Sequence, residues 1–314
     1  MAWDLIGDVH GRLEHLTAVL RALGYQQRGG AWRHGDPARR ALFLGDLIDR
    51  GPCQTATLAL VRAMVEAGSA ECLLGNHEFN AIAYGLRDPQ SPDRHLRIRS
   101  VANTRQHRHF LAEVGIDSAT HRTWLEWFLE RPLWLETDGL RAVHACWHAE
   151  HLRTLTQVLG PSRRLSPASV EAASRPGNPL FVAVEALCKG VEVDLPPGLS
   201  WADVGGTQRT RARVKWWDPG ADTFRTGVLV ATGQDPAGLP DDPLPSGARI
   251  AYDGAKPVFF GHYALSGTPQ LGGPRTCCLD YSGEGHASPL VAYRWDGNPD
   301  LTQENIITAH AKGF

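Results

Sequence analysis

The chain has 314 residues, 42% apolar and 21% charged, with 32 basic side chains against 34 acidic ones and 14 histidines. That composition fills a sizeable core, and a formal net charge of -2 provides no whole-molecule field favouring nucleic acid or an anionic membrane. No charged-then-apolar leader precedes Trp3, and no apolar run approaches the roughly 20 residues of a membrane span, so a cytoplasmic protein is expected. The six cysteines form no CxxC pair and are expected to be reduced and mostly packed. If Cys277 and Cys278 lie on a strand they point in opposite directions, so at most one is expected to face a core.

In chain order, residues 3–6 read as a short strand, and Leu13, Leu16, Leu20 and Leu23 recur at helical spacing up to Gly24, which can end a helix. The segment GDVHG, residues 7–11, therefore sits on a strand-to-helix turn. The same pattern returns twice: 41–44, then GDLIDRG and a helical run over 55–67; and 71–74, then GNHE and a further helical stretch. Successive strand-loop-helix units argue for an α/β fold whose polar loops gather at one sheet edge. Residues 89–130 read as helical and polar, a helical insertion over about 85–131 whose basic stretch RHLRIRSVANTRQHRHF is expected to be a solvated cap. Strands return at 132–135 and 140–143, the second ending at His144. After more helix comes a loop-rich insertion over about 190–250, dense in Pro, Gly and Asp around a strand in RARVKWWD. On that strand Arg209, Arg211, Arg213 and Lys215 would share one face, and Trp216 and Trp217 would point to opposite ones. Residues 257–260, CCLDYS and LVAYRW supply the closing strands. Since the candidate ligands straddle the whole length, one domain over 1–314 is expected.

The polar residues following these apolar strands are Asp8, His10, Asp46, Asp49, Arg50, Asn76, His77, Glu78, His144 and His262. Oxygen donors mixed with imidazoles suit divalent manganese, iron, zinc or nickel, and an acid between two ligand sets can bridge a metal pair. Two ions about 3.5–4 Å apart can activate water and stabilise both the attacking and the leaving oxygen of a displacement at phosphorus. A single Gly-Asp after a strand is an ordinary turn or cap; the ordered series is what points to a metal site.

GDVHG, GDLIDRG and GNHE, followed by strand-terminal histidines in VHAC and FGHY, resemble the calcineurin-like metallophosphoesterases, and within them the phosphoprotein-phosphatase branch of bacterial type. The resemblance implies a four-layer fold, a central β-sandwich flanked by helices. It implies two divalent ions, with manganese preferred and iron, zinc, nickel or magnesium as alternatives. Asp8 and His10 would bind the first ion, Asp46 would bridge, and Asn76, His144 and His262 would complete the coordination of the second ion. His77, hydrogen-bonded to Asp49, would protonate the leaving alkoxide while a metal-bridging hydroxide attacks phosphorus directly. Arg50 would grip the phosphoryl oxygens, with Arg213 preferred over Arg209 and Arg211 as a second arginine. Where many relatives carry HGG, this chain has His144, Ala145 and Cys146, a thiol that is either packed or redox-sensitive. The implied substrates are phosphate esters, of phosphoserine or phosphothreonine in proteins, or alternatively diadenosine tetraphosphate or 2',3'-phosphates and cyclic phosphodiesters. A catalytically silent binding module is the rival of another class, opposed by the joint presence of Asp46, Asp49, Arg50, Asn76 and His77. Neither a membrane nor stable nucleic-acid binding is expected.

Overall fold

A computed structural model describes residues 2–202, 208–230 and 238–310. Residues 203–207 and 231–237, which belong to the expected loop-rich insertion, lie outside the described residues.

Two sheets carry the architecture. In the five-stranded sheet Ala2–Ile6 runs parallel to Arg39–Phe43, which runs parallel to Ala70–Cys72; on its other side Ala2–Ile6 pairs antiparallel with Leu290–Trp295, and Ile306–Ala309 forms the edge. In the four-stranded sheet Val258–Phe260 is parallel to both Thr276–Cys278 and Arg141–Val143, with Trp134–Glu136 antiparallel at the edge.

Side-chain alternation makes these sheets the middle of a sandwich. Trp3, Leu5, Leu42 and Tyr293 from the first sheet share one core with Ala142, Phe259 and Cys277 from the second. Their sequence neighbours Ile6, Phe43, Val143, Phe260 and Cys278 point the other way, into a core built with the helices Leu13–Ala22, Gln54–Glu66, Ala149–Leu159 and Pro179–Lys189. The order of layers is helix, sheet, sheet, helix. Because both faces of the second sheet are covered, Cys277 and Cys278 are both buried, one in each core, against the expectation that only one could be.

Three local readings are corrected. Residues 85–131 are not helical throughout: Arg87–Asp88 pairs with Ser91–His95 in a hairpin, since Pro89 and Pro92 break helical hydrogen bonding, and the helices Val101–Gln106, Arg108–Val114 and Ala119–Leu129 follow. The strand in RARVKWWD stops at Val214, and a turn closed by Asp218 N–H donating to the Lys215 carbonyl at 3.0 Å carries the tryptophans. Off the strand, Trp216 and Trp217 need not diverge, and both are buried against Phe260. Among the described residues no helix is long and apolar enough to cross a membrane.

Phe259 sits at the centre of the sandwich with no solvent contact, whereas Val101 is 87% exposed. Phe259→Ala is expected to lower unfolding free energy by about 3–5 kcal/mol, and Val101→Ala by less than about 0.5 kcal/mol, read from urea midpoints. Equal midpoints for the two variants would contradict this packing.

Candidate active site

Asp8, Asp46 and Asn76 lie just past the carboxyl ends of the parallel strands of the first sheet, and His144 and His262 just past those of the second. The strand ends of both sheets thus open onto one cleft. Its loops are tightly bent. Eight non-glycine residues among those described have positive φ, and six of them, His10, Asp46, Asp49, Arg50, His262 and Ala264, are here, between 46° and 75°. Backbone strain of this kind persists only where surrounding contacts impose it. Close approach also excludes side chains: a Cβ on Gly75 would stand 2.3 Å from Asp46 Oδ1, and one on Gly261 2.0 Å from Asp8 Oδ1.

Buried polar groups impose the loop shapes. Glu78, on the helix Asn76–Gly85, accepts from the backbone N–H groups of Asp46 and Leu47 at 2.8 Å, Gly75 at 3.1 Å and Ile48 at 3.3 Å. Its carboxyl is pushed up to about 7 by burial and by the Asp46 carboxylate. The buried Arg12 guanidinium donates to the carbonyls of Asp8, Val9 and Ser288, bracing the first turn. Asp280 accepts from Ala264 N–H at 2.6 Å and Ser282 N–H at 3.0 Å, so it shapes the His262 loop. Arg12 and Asp280 are absent from the sequence-based candidates. Asp280 follows an apolar strand as the others do, and that position was its one available signal.

Four donors converge at the second group of candidate ligands. His144 donates from Nδ1 to the Leu44 carbonyl at 2.8 Å, which turns Nε2 towards Asp46 Oδ1 at 3.2 Å and the Asn76 amide at 3.1 Å. His262 Nδ1 lies 2.7 Å from the same amide. With the amide nitrogen turned inward, Asn76 would donate to both rings. With the oxygen inward, that oxygen, the Asp46 carboxylate and deprotonated ring nitrogens can turn lone pairs to one point, an arrangement a divalent cation would satisfy. Burial and Arg213 hold His262 well below the ordinary histidine range, so its ring is neutral. Burial alone would lower His144 too, but the Asp46 carboxylate raises it to about 10, so a cation there would take the place of a proton.

The first group is looser. His10 donates from Nδ1 to the Ile48 carbonyl at 2.8 Å, aiming a buried, unpartnered Nε2 at Asp46 Oδ2 (3.7 Å) and Asp8 Oδ2 (3.9 Å). Burial and Arg50 keep His10 neutral, while burial and the neighbouring Asp280 carboxylate push the Asp8 carboxyl well above its usual range. Crowded acids beside neutral imidazoles fit a divalent cation better than they fit each other. Donor atoms of His10, Asp46 and His77, and of Asp46, His144 and His262, lie within 4.8 Å of one another in each set.

His77 Nδ1 is 2.6 Å from Asp49 Oδ2, and its backbone N–H donates to Asp46 Oδ1 at 2.9 Å. Although burial opposes it, the Asp46 and Asp49 carboxylates raise the His77 pKa and favour the protonated ring. His107, from the helical insertion, also reaches Asp49 Oδ2, at 2.8 Å. The insertion is therefore more than a solvated cap. Arg50 projects into the cleft with Nη1 donating to Ser282 Oγ at 3.1 Å. Arg209, Arg211 and Arg213 line the same cleft of about 1090 Å³. Arg211 also pairs with Asp194 at 3.3 Å, and Arg213 is half-buried beside His262. Lys215, expected on the same face, instead donates from Nζ to the Thr226 carbonyl at 3.2 Å. Cys146 is buried and its thiol is held well above the ordinary range, which describes a packed side chain and not a thiolate.

The family model for calcineurin-like phosphoesterases matches residues 4–264, the stretch that carries every residue of this cleft up to His262. The chain belongs to that family. It is 32% identical over 168 residues to the asymmetrical bis(5'-nucleosyl)-tetraphosphatase PrpE of Oceanobacillus iheyensis, covering 51% of this chain and 64% of that one. A protein of the same name from Halalkalibacterium halodurans is 42% identical over 77 residues, 24% of this chain and 31% of its own length. The chain thus spans less than two thirds of either relative. The symmetrical bis(5'-nucleosyl)-tetraphosphatase of Methylococcus capsulatus is 27% identical over 321 residues, covering 95% and 92% of the two chains. A serine/threonine phosphatase structure from Saccharomyces cerevisiae superposes with a TM-score of 0.52 at 14% identity over 100% of this chain and 81% of that one, a likeness of fold.

Metal content separates the two positions open to His77, ligand or proton donor. After stripping and reconstitution with manganese, Asp46→Asn is expected to lose both ions by elemental analysis, since both groups share that carboxylate, while His77→Asn keeps two. Loss of an ion in His77→Asn would make it a ligand.

Proposed function

We propose that the protein is a two-metal phosphoester hydrolase acting on nucleotides with several linked phosphates, of the dinucleoside tetraphosphate class. The observation that carries the proposal is the convergence of the polar side-chain atoms of Asp46, Asn76, His144 and His262 beside the Asp49–His77 pair. Asp8, His10 and Asp46 would hold one ion and Asp46, Asn76, His144 and His262 the other, with manganese preferred over iron, zinc, nickel or magnesium. When bound, the ions supply an activated water and neutralise charge on the phosphoryl oxygens. The chain supplies the rest. Asp49 fixes the Nδ1 proton of His77, so that Nε2 can carry the proton given to the leaving oxygen. Arg50 and Arg213, which line the cleft, would orient the phosphoryl group.

Cleft charge favours several phosphates over one. Besides Arg50 and Arg213, its outer wall above the buried acids carries Arg97, Arg105, Arg108, Arg209, Lys189 and Arg211, the last two paired with Glu185 and Asp194, and Glu192 is the one acid among the described residues of that wall. Such a wall attracts a polyanion more strongly than a single phosphoserine in a neutral peptide. The names of the relatives above point the same way. The cysteines are unpaired among the described residues, which suits a cytoplasmic setting.

With manganese restored, kcat/KM for diadenosine tetraphosphate is expected to exceed that for a phosphoserine peptide by about tenfold or more. The product nucleotides would report symmetrical or asymmetrical cleavage. A preference for the peptide would replace the substrate proposal with a protein phosphatase, and no turnover of any phosphate ester with two ions bound would replace the enzyme with a binding module.

A further inference from the structure

We infer that His107 is a positioning residue for the proton donor: it fixes Asp49 and, through Asp49, the orientation of the His77 ring. The inference rests on the reading of His77 as the acid.

His107 stands at the junction of the helices Val101–Gln106 and Arg108–Val114, is 1% exposed, and places Nδ1 2.8 Å from the Asp49 Oδ2 that also takes His77 Nδ1 at 2.6 Å. A carboxylate oxygen only accepts, so both rings present Nδ1–H to it. Among the described residues these two imidazoles are the hydrogen-bond donors to the Asp49 side chain, its Oδ1 having none. Without His107, one ring alone would hold a carboxylate that sits on strained backbone, with φ of 70° at Asp49 and 62° at Arg50.

The insertion grips the same loop a second time. Glu113 accepts from the N–H groups of Gln54 at 2.7 Å and Thr55 at 2.8 Å; Gln54 Oε1 in turn accepts from Asp49 N–H at 2.6 Å, and its Nε2 donates to the Gly51 carbonyl at 2.7 Å. The His107 ring lies edge-on to Tyr84, 5.6 Å between centroids, and Tyr84 belongs to the helix Asn76–Gly85 that bears His77. The donor's helix, the Asp49 loop and the insertion therefore close on one another around His107.

A residue that merely packs the insertion would, when replaced, slow all substrates alike. A residue that positions the acid affects substrates according to how much protonation their leaving group needs. The test compares p-nitrophenyl phosphate, whose phenolate departs nearly unaided, with phenyl phosphate, in the manganese-loaded full chain. His107→Gln keeps an amide nitrogen near the ring's Nε2 position and cannot reach Asp49, whereas His107→Asn keeps one near Nδ1. We expect His107→Gln to lose about tenfold or more in kcat on phenyl phosphate, to lose under about threefold on p-nitrophenyl phosphate, and to retain two ions. His107→Asn should restore most of the loss, and His107→Gln added to His77→Asn should cost nothing further. An equal loss on both esters, or no rescue by asparagine, overturns the inference. Inactive unaltered enzyme, or a His77→Asn variant blind to the leaving group, would instead overturn the reading beneath it. A measurement on the unaltered chain stands apart from variant folding: nitrogen-15 NMR should show His107 as the Nδ1–H form with its proton shifted downfield by the carboxylate, and an Nε2–H ring contradicts the inference.

Discussion

Asp46 is a carboxylate with 1% solvent exposure at the point where the loops of both sheets meet. Isolated burial of such a charge is very costly, and the surrounding residues are arranged to offset that cost. His144 stands 3.2 Å away, His77 N–H donates at 2.9 Å, and His10 and His77 present Nε2 at 3.7 and 3.8 Å. His144 and His77 above all hold the Asp46 carboxyl well below its usual range although burial pushes it up. Burial and the Asp280 carboxylate push the neighbouring Asp8 carboxyl in the opposite direction. Two buried carboxyls pushed in opposite directions at one seam are a setting in which a shared cation would relieve the burial of both.

Holding that arrangement uses the whole fold. The two sheets bring Asp8 and Asp46 on one side and His144 and His262 on the other within reach, and His262 N–H donates directly to Asp8 across the seam at 3.1 Å. Glu78 gathers backbone donors of the Asp46 loop, and Gly75 and Gly261 allow neighbouring strands to touch the acids themselves. Strain is concentrated where the candidate ligands are displayed, which exchanges stability for preorganisation. The sandwich core behind the cleft, with Leu5, Leu42 and Phe259 fully buried, supplies the rigidity that lets these loops stay bent.

Much of this was legible in the order of residues. Apolar strands ending in Gly-Asp or Gly-Asn mark a parallel sheet edge, and every candidate from Asp8 to His262 lies at the cleft where the structure brings those edges together. What escaped reading shares one physical character: it depends on long-range packing. His107 looked like one more polar residue in a basic stretch because its contact is with Asp49, 58 residues away. Asp280 acts through backbone groups of a different loop, and Arg12 through carbonyls as distant as that of Ser288. Local periodicity carries no trace of such pairings. The placement of Trp216 and Trp217 failed for the complementary reason, since a strand pattern was extended through a turn whose closure is set by Lys215 and Asp218.

On the proposed reading the chain holds two cations sharing Asp46. Anomalous diffraction from manganese-loaded crystals, collected at the manganese edge, tests it most directly. Two peaks are expected in this cleft, one between Asp8, His10 and Asp46 and one between Asp46, Asn76, His144 and His262. A single peak, or a pair that does not share Asp46, would contradict it.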